Sequence, residues 1–339
     1  MKLVQAEQKQ IERIVEISKA AFDSDIAVGA SSVGGPPEYD SVAWHEQMFN
    51  ERHLFQAEID GEIIGGALLF LIDDGKTSIL YDTGFAFTGE RLAQNVQKIL
   101  KNRQLDFIFL THSHYDHALG SVYVKKLFPN AKIVAGSYAS SIFKKDSAKK
   151  VMRDLDQKFA QKNGILEYED LIDSLCVDIE VEDGDKIQCG QMLFTVVALP
   201  GHTKCSVGFY LEQDELLLAT ETLGVFTGSE KIIPSYLIGY DLTLKSFEKI
   251  EKFKIKNILV PHHGLLTEEE SAFYLKYGKL NAIQTATQIL QSLKNGVPKT
   301  EILEQFKEKY YDEKVREIYP IDAMELNTNI MINLIEKEM

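Results

Sequence analysis

The stretch Thr111-His112-Ser113-His114-Tyr115-Asp116-His117 holds the densest chemistry in this chain, three imidazoles and a carboxylate within six positions. Neutral imidazole and carboxylate are the common ligands of zinc and related divalent ions. They follow the apolar run 105–110, whose Leu105, Phe107, Ile108, Phe109 and Leu110 read as a buried strand. Crowding ligands at a strand end makes sense if a cation holds them. The plainer reading is a His-rich surface loop. It is weakened by the rest of the chain: six of the eight histidines (112, 114, 117, 202, 262 and 263) fall in three short clusters, each at the end of an apolar run. The chemistry this suggests is that of one or two divalent ions with a coordination position left for water, whose pKa such an ion lowers to about 7.

Elements of both kinds must position these groups. Helical spacing of apolar residues predicts helices over 8–22 and 88–102, and Ser41 is a candidate N-cap for a helix over 42–50. Segment 31–40, with Gly34-Gly35-Pro36-Pro37, is a loop. Strands are predicted over 54–59 and 63–72 around an Asp60-Gly61 hairpin turn, and over 77–81. After the His-rich loop come a helix over 119–128, a strand over 132–135 and a mostly helical stretch over 139–162. Short strands over 177–181, 186–189, 192–199, 207–211 and 216–219 imply a second, antiparallel sheet. A helix over 242–253 and a strand over 257–260 lead to His262-His263, and the tail is helical over 268–295, 300–311 and 323–338.

At 339 residues, 45% apolar and 26% charged, the chain can bury one large core or two smaller ones. A net charge of −14 argues against nucleic-acid binding through a broad basic surface. Residues 1–10 lack the apolar core of a secretory signal, and no uninterrupted apolar run is long enough to span a bilayer. Cys176, Cys189 and Cys205 are odd in number and show no CxxC spacing, so a disulfide framework is not expected and a cytoplasmic location is.

His112-x-His114-x-Asp116-His117 resembles the signature of the metallo-β-lactamase superfamily of hydrolases. Four further segments agree in order and context. Asp82-Thr83-Gly84 resembles the family's early strand and turn, and Pro200-Gly201-His202-Thr203 its next metal-binding loop. Ala219-Thr220-Glu221-Thr222-Leu223 sits where Gly-Asp-Thr-Leu is usual, and Val260-Pro261-His262-His263-Gly264 resembles the closing loop. The resemblance implies an αββα sandwich, of the mixed α/β class, and two divalent ions, zinc first with iron or manganese as alternatives. It assigns His112, His114 and His202 to one ion and Asp116, His117 and His263 to the other. Glu221 takes the place of the bridging Asp, one methylene longer. Asp116 would also orient the attacking hydroxide. Because His263 precedes Gly264 as in the family, it is the expected ligand, and His262 a pocket residue.

Residues 1–70 resemble the first half of a GNAT-type N-acetyltransferase, ending in Ile64-Gly65-Gly66. That family's later phosphate-cradling loop has no counterpart after residue 70, so the segment is expected instead to supply edge strands and a covering helix. The expected division is therefore 1–65, an N-terminal segment with edge elements; 66–266, the hydrolase domain; and 267–339, a helical extension. The implied activity is metal-dependent hydrolysis, through a metal-bound hydroxide, of a small-molecule ester, thioester or lactone. The partners expected are a small substrate and a second copy of the chain, with no nucleic acid and no membrane. The competing readings are a persulfide dioxygenase-like iron enzyme, a non-catalytic sensor with a degenerate site, and an acetyltransferase fusion. Cys205 is expected to be a small buried residue, Trp44, His45 and His53 packing or surface residues, and Lys144, Lys145, Lys149 and Lys150 a solvated helix face.

Overall fold

The computed structural model describes the backbone of residues 2–5, 7–23, 41–50, 54–59, 62–68, 70–227, 232–312, 315 and 321–338. The chain divides into two compact units. The smaller comprises Met1–Phe70, Phe226–Ile233 and Ile283–Met339; the larger comprises Leu71–Val225 and Pro234–Ala282.

In the smaller unit, strand β1 (Lys2–Gln5), helices α1 (Ile11–Asp23) and α2 (Val42–Asn50), and strands β2 (Leu54–Ile59) and β3 (Glu62–Leu68) follow in order. The strands make an antiparallel sheet in the order β1-β2-β3. Ser41 caps α2 as its sequence suggests, its hydroxyl accepting from the Trp44 N–H at 3.2 Å. Ile11, Ile14 and Val15 on α1 bury against Met48, with Trp44 packed alongside. His45 is buried and its Nδ1 lies 2.8 Å from the Ser41 carbonyl. His53, the 31–40 loop and the Asp60-Gly61 turn lie outside the described residues.

The edge-strand expectation for this segment is not met. Strand β2 is flanked by β1 and β3, so its backbone groups are used inside this small sheet. The run predicted as one strand over 63–72 is divided: β3 ends at Leu68, and a new strand, β4 (Leu71–Asp73), opens the sheet of the larger unit.

That sheet has five strands in sequence order, β4, β5 (Ser78–Tyr81), β6 (Phe107–Phe109), β7 (Lys132–Gly136) and β8 (Ile179–Val181). Only the β4–β5 pair is antiparallel; β5 to β8 run parallel. Parallel neighbours need crossovers, and helices supply them. They are α3 (Ala86–Leu100), the short α4 (Tyr115–Ala118) with α5 (Ser121–Leu127), and α6 (Ser137–Phe143) with α7 (Asp146–Lys162). The stretch expected to be mostly helical over 139–162 is two helices, parted at Lys145, whose backbone is extended.

The second sheet has six strands. They are β9 (Lys186–Cys189), β10 (Met192–Ala198), β11 (Val207–Leu211), β12 (Leu216–Leu218), β15 (Asn257–Val260) and β16 (Gly264–Leu266), each beside the next; β13 (Val225–Phe226) and β14 (Ile232–Ile233) form a separate ladder. Its pairs are antiparallel except β12–β15, which is parallel and joined through α8 (Tyr240–Ile250). The sheets face each other through fully buried rings. Phe109 of β6 meets Phe194 of β10 at 5.2 Å and Phe209 of β11 at 4.3 Å between centroids. The Tyr81 hydroxyl donates across the same interface to the Ala219 carbonyl at 2.7 Å. Two sheets buried face to face, with crossover helices outside, make the expected αββα sandwich.

Helix α9 (Glu268–Lys294) has residues in both units, and α10 (Lys299–Tyr310) and α11 (Ile321–Glu338) belong to the smaller. No helix among the described residues is long and apolar enough to cross a membrane.

Candidate metal centre

The carboxyl ends of five strands deliver the candidate ligands to one edge of the sandwich. Asp82 follows β5, the His112–His117 loop follows β6, His202 follows β10, Glu221 follows β12 and His262 follows β15. Open sheets with parallel strands bind ligands at such ends, where loops diverge from a rigid frame. The larger unit supplies every one of these residues.

Two groups form there. His112, His114, His202 and Glu221 make one, and Asp116, His117 and His262 the other; within each, one ligand atom per residue lies within 4.8 Å of all the others. Glu221 stands between them. Its Oε2 is 3.0 Å from His202 Nε2, 3.2 Å from His112 Nε2 and 3.6 Å from His117 Nε2. Its Oε1 is 2.9 Å from His262 Nε2. Asp116 Oδ2 lies 3.6 Å from His117 Nε2 and 3.8 Å from His262 Nε2. His114 turns its Nδ1 inward, 3.1 Å from His202 Nε2. One carboxylate oxygen toward each group is the arrangement a bridging ligand needs, and the longer Glu achieves it.

The rings are held from behind. His117 Nδ1 lies 2.8 Å from Asp82 Oδ2. His112 Nδ1 lies 3.0 Å from the Thr111 hydroxyl, which itself donates to Asp82 Oδ2 at 2.9 Å. His202 Nδ1 lies 2.8 Å from the Ser235 hydroxyl. With each Nδ1 engaged by an oxygen, a proton belongs on Nδ1, so that in the neutral ring the Nε2 lone pair faces the centre. His112 Nε2, His117 Nε2 and Glu221 Oε2 are buried and make no hydrogen bond among the described residues. Buried acceptors are rarely left so. Three of them, converging among further imidazoles and carboxylates, fit a divalent cation.

The electrostatics point the same way. Burial, with His117 and His114 nearby, holds His112 well below the usual imidazole value. Burial and His202 bring His114 down to about 4. Both rings are therefore neutral, as metal ligands must be. Burial also opposes charge on His117, yet Asp116, Glu221 and Asp82 outweigh it and lift that ring to about 10. His262 is raised too, burial yielding to its bond with Glu221. Glu221 is held well below the carboxylate range, because its burial is overcome by His202, His117 and His112. These carboxylates draw positive charge onto whatever faces them, protons or metal.

The structure brings together His112, His114, Asp116, His117, His202 and Glu221, all expected from the sequence. It does not bring His263 into either group; His262 takes that place. The reason lies in the turn. Val260 pairs with Gly264, so residues 261–263 close a three-residue hairpin loop, and His262 adopts the left-handed region at φ +64°. That backbone goes with a His262 ring whose Nε2 reaches Glu221 Oε1 at 2.9 Å. Asp82 is likewise left-handed at φ +47°. Non-glycine residues in this region carry strain that surrounding contacts must hold, and such residues cluster at functional sites.

Ser235 and the ring-holding role of Asp82 escape sequence reading. Asp82 had a signal in its Asp-Thr-Gly context; Ser235 had none. Cys205 is buried as expected, its thiol 3.3 Å from the Ser113 hydroxyl. Lys144 pairs with Glu180 at 2.8 Å and Lys149 donates to the Asp173 carbonyl at 2.7 Å, both on the solvated face.

Comparison with known proteins matches residues 65–262 to the metallo-beta-lactamase superfamily. Glyoxylase B2 of Dictyostelium discoideum is 26% identical over 161 residues, 45% of this chain and 50% of that protein. A hydroxyacylglutathione hydrolase of Francisella tularensis subsp. holarctica is 29% identical over 148 residues, 43% of this chain and 46% of that protein. The chain thus spans about half the length of the curated relatives it matches. Among solved structures, a metallo-beta-lactamase family protein of Thermus thermophilus superposes with a TM-score of 0.54 at 18% identity, covering 84% of this chain and 92% of that one. That likeness speaks for the fold alone.

Proposed function

Because the chain belongs to the metallo-beta-lactamase superfamily, we propose that it is a metal-dependent hydrolase of small carbonyl compounds, with thioesters ahead of esters and lactones. The observation that carries this reading is the convergence of bare, buried His112 Nε2, His117 Nε2 and Glu221 Oε2 on one point. Thioesters come first because one relative is named a hydroxyacylglutathione hydrolase.

In this proposal His112, His114 and His202 hold one ion, Asp116, His117 and His262 the other, and Glu221 serves both. Zinc is the ion proposed, since a His-rich set with carboxylates suits it. Two such ions, when bound, supply Lewis acidity toward a carbonyl oxygen and acidify water. The chain's own residues do the rest. Asp82 and Ser235 keep His117 and His202 in the tautomer that leaves Nε2 free. Asp116 is the most accessible carboxylate of the centre, its side chain 22% exposed against 10% for Glu221. It can orient water and accept its proton at Oδ2.

The test is elemental analysis of protein purified without chelator, followed by a panel of thioesters, esters and lactones. About two ions per chain and turnover of at least one class are expected. Fewer than one tightly held ion per chain would support a degenerate, sensory site instead, and iron in place of zinc would favour dioxygenase chemistry. The transferase resemblance of residues 1–70 is tested separately, by acetyl-CoA binding to the intact chain.

A further inference from the structure

Tyr115, the residue between two candidate ligands, belongs to a wall of aromatic rings. Tyr115, between His114 and Asp116, lies 5.7 Å from Phe85 between centroids. Phe85 stacks on Phe159 of α7 at 4.8 Å with 22° between planes, and lies 5.0 Å from Phe87. Phe87 in turn meets Tyr168 at 6.4 Å. All five belong to the larger unit.

A structural aromatic cluster hides its rings. Phe109, Phe194 and Phe209 between the sheets do so completely. These five remain partly open to solvent, every one of them, although they touch each other. Leaving several large rings half wet forgoes hydrophobic stabilisation that deeper packing would supply. The wall is also fixed in place. Buried Asp156 of α7 accepts from the Ala86 N–H at 2.8 Å, at the start of α3, and from the Tyr168 hydroxyl at 2.5 Å. One carboxylate thus ties together the helix start that carries Phe85 and Phe87, the helix that carries Phe159, and Tyr168. Rigid, preformed apolar surface beside a polar reactive centre is the form small-molecule sites take.

We infer that Phe85, Tyr115 and Phe159 form the subsite for the acyl group of the substrate, and that the enzyme prefers aromatic or medium-length aliphatic acyl groups over acetyl. This rests on the proposed hydrolase reading and adds its substrate class. The wall continues from Tyr115 in the metal loop, so a carbonyl held at the centre would lay its acyl group along the rings. The aromatic faces would take up apolar groups of either kind.

The experiment uses the full-length, metal-loaded protein and the acetyl, butanoyl, hexanoyl and phenylacetyl thioesters of N-acetylcysteamine. For the parent, kcat/KM should rise by about fourfold per buried methylene, with phenylacetyl also well above acetyl. Phe159→Ala should flatten the series, the hexanoyl and phenylacetyl rates falling far more than the acetyl rate, while metal content stays at the parent's value. Phe159→Leu, which keeps most of the volume, should keep the aliphatic slope and lose part of the phenylacetyl preference; it stands in if the Ala variant does not fold. Acetyl turnover without a chain-length slope would overturn the subsite and leave the hydrolase reading intact. So would a slope that Phe159→Ala does not change. If no thioester is turned over, the thioester preference fails, and calorimetric binding of acetate, hexanoate and phenylacetate decides the subsite alone. Tighter binding of the two larger acids, lost in Phe159→Ala, supports it; equal binding overturns it.

Discussion

Two adjacent histidines in one turn have different fates, and the difference is measurable. His262→Ala should cost the protein one of the two ions proposed, because it removes the nitrogen that faces Glu221 Oε1 at 2.9 Å. His263→Ala should leave both. Elemental analysis of the two variants checks this; the reverse result would restore the ligand expected from the motif. Glu221→Asp should alter metal stoichiometry or preference without unfolding the protein, since it withdraws by one methylene a carboxylate that now reaches both groups. Glu221→Ala should be worse, as it leaves the ions' charge unbalanced. Asp82→Asn should weaken metal binding by about 10–100-fold, the usual effect of altering the partner behind a ligating ring; competition with a chelator reads it. At this scale the sequence was informative wherever chemistry was dense. The 112–117 loop, His202 and Glu221 could be found from residue type, spacing and resemblance. The choice between His262 and His263 could not, because it depends on a single left-handed φ. Ser235 could not either, because a lone serine in a loop looks like any other.

Element boundaries were legible where a cap or a short apolar run marked them, as Ser41 does for α2 and 257–260 for β15. They were not where the chain passes from one sheet to another. The 63–72 run is uniformly apolar, and nothing in its pattern tells that Leu68 ends one sheet and Leu71 begins the next. Nor does α7's pattern announce that its Asp156 binds the start of α3. That contact has a pH signature. Burial holds Asp156 above its usual value, outweighing the bonds from Tyr168 and Ala86. The native state therefore binds this proton more tightly than the unfolded chain does. The group's contribution is fully present below the ordinary carboxylate pKa of about 3.9 and declines as pH rises through the raised value. Asp156→Asn should abolish that decline. Urea unfolding of parent and variant at several pH values from about 4 to about 7 checks it; parallel stability curves would refute it.

On the scale of the whole molecule, the division into units differs from the one read off the sequence. The smaller unit is assembled from three chain segments, the first and last far apart in sequence. Residues 1–70 share that unit with 226–233 and 283–339, so they are predicted not to behave as an appendage that can be cut away. A 71–339 fragment lacks one of three parts of that unit and should aggregate or show early proteolysis in 283–338. Soluble, protease-resistant 71–339 would contradict this. The candidate ligands all lie in the larger unit, so chelation should destabilise that unit specifically. Thermal unfolding with and without chelator, followed by exchange at the amides of β6 and β12 against those of α10 and α11, should show loss of protection in the first pair alone.

The small hydrogen-bonded joint behind the His loop has a consequence for inheritance. Thr83 donates to the His117 carbonyl from both its N–H, at 2.8 Å, and its hydroxyl, at 2.9 Å, and the Gly120 N–H donates to the Gly84 carbonyl at 3.0 Å. The fit is so close that a Cβ on Gly120 would meet the Thr83 carbonyl oxygen at 2.0 Å, backbone that has nowhere to go. In a saturation screen for activity, the ligand positions should tolerate an occasional metal-binding replacement. Gly120 should tolerate none, not even alanine: a position that binds nothing would be among the least variable in the gene.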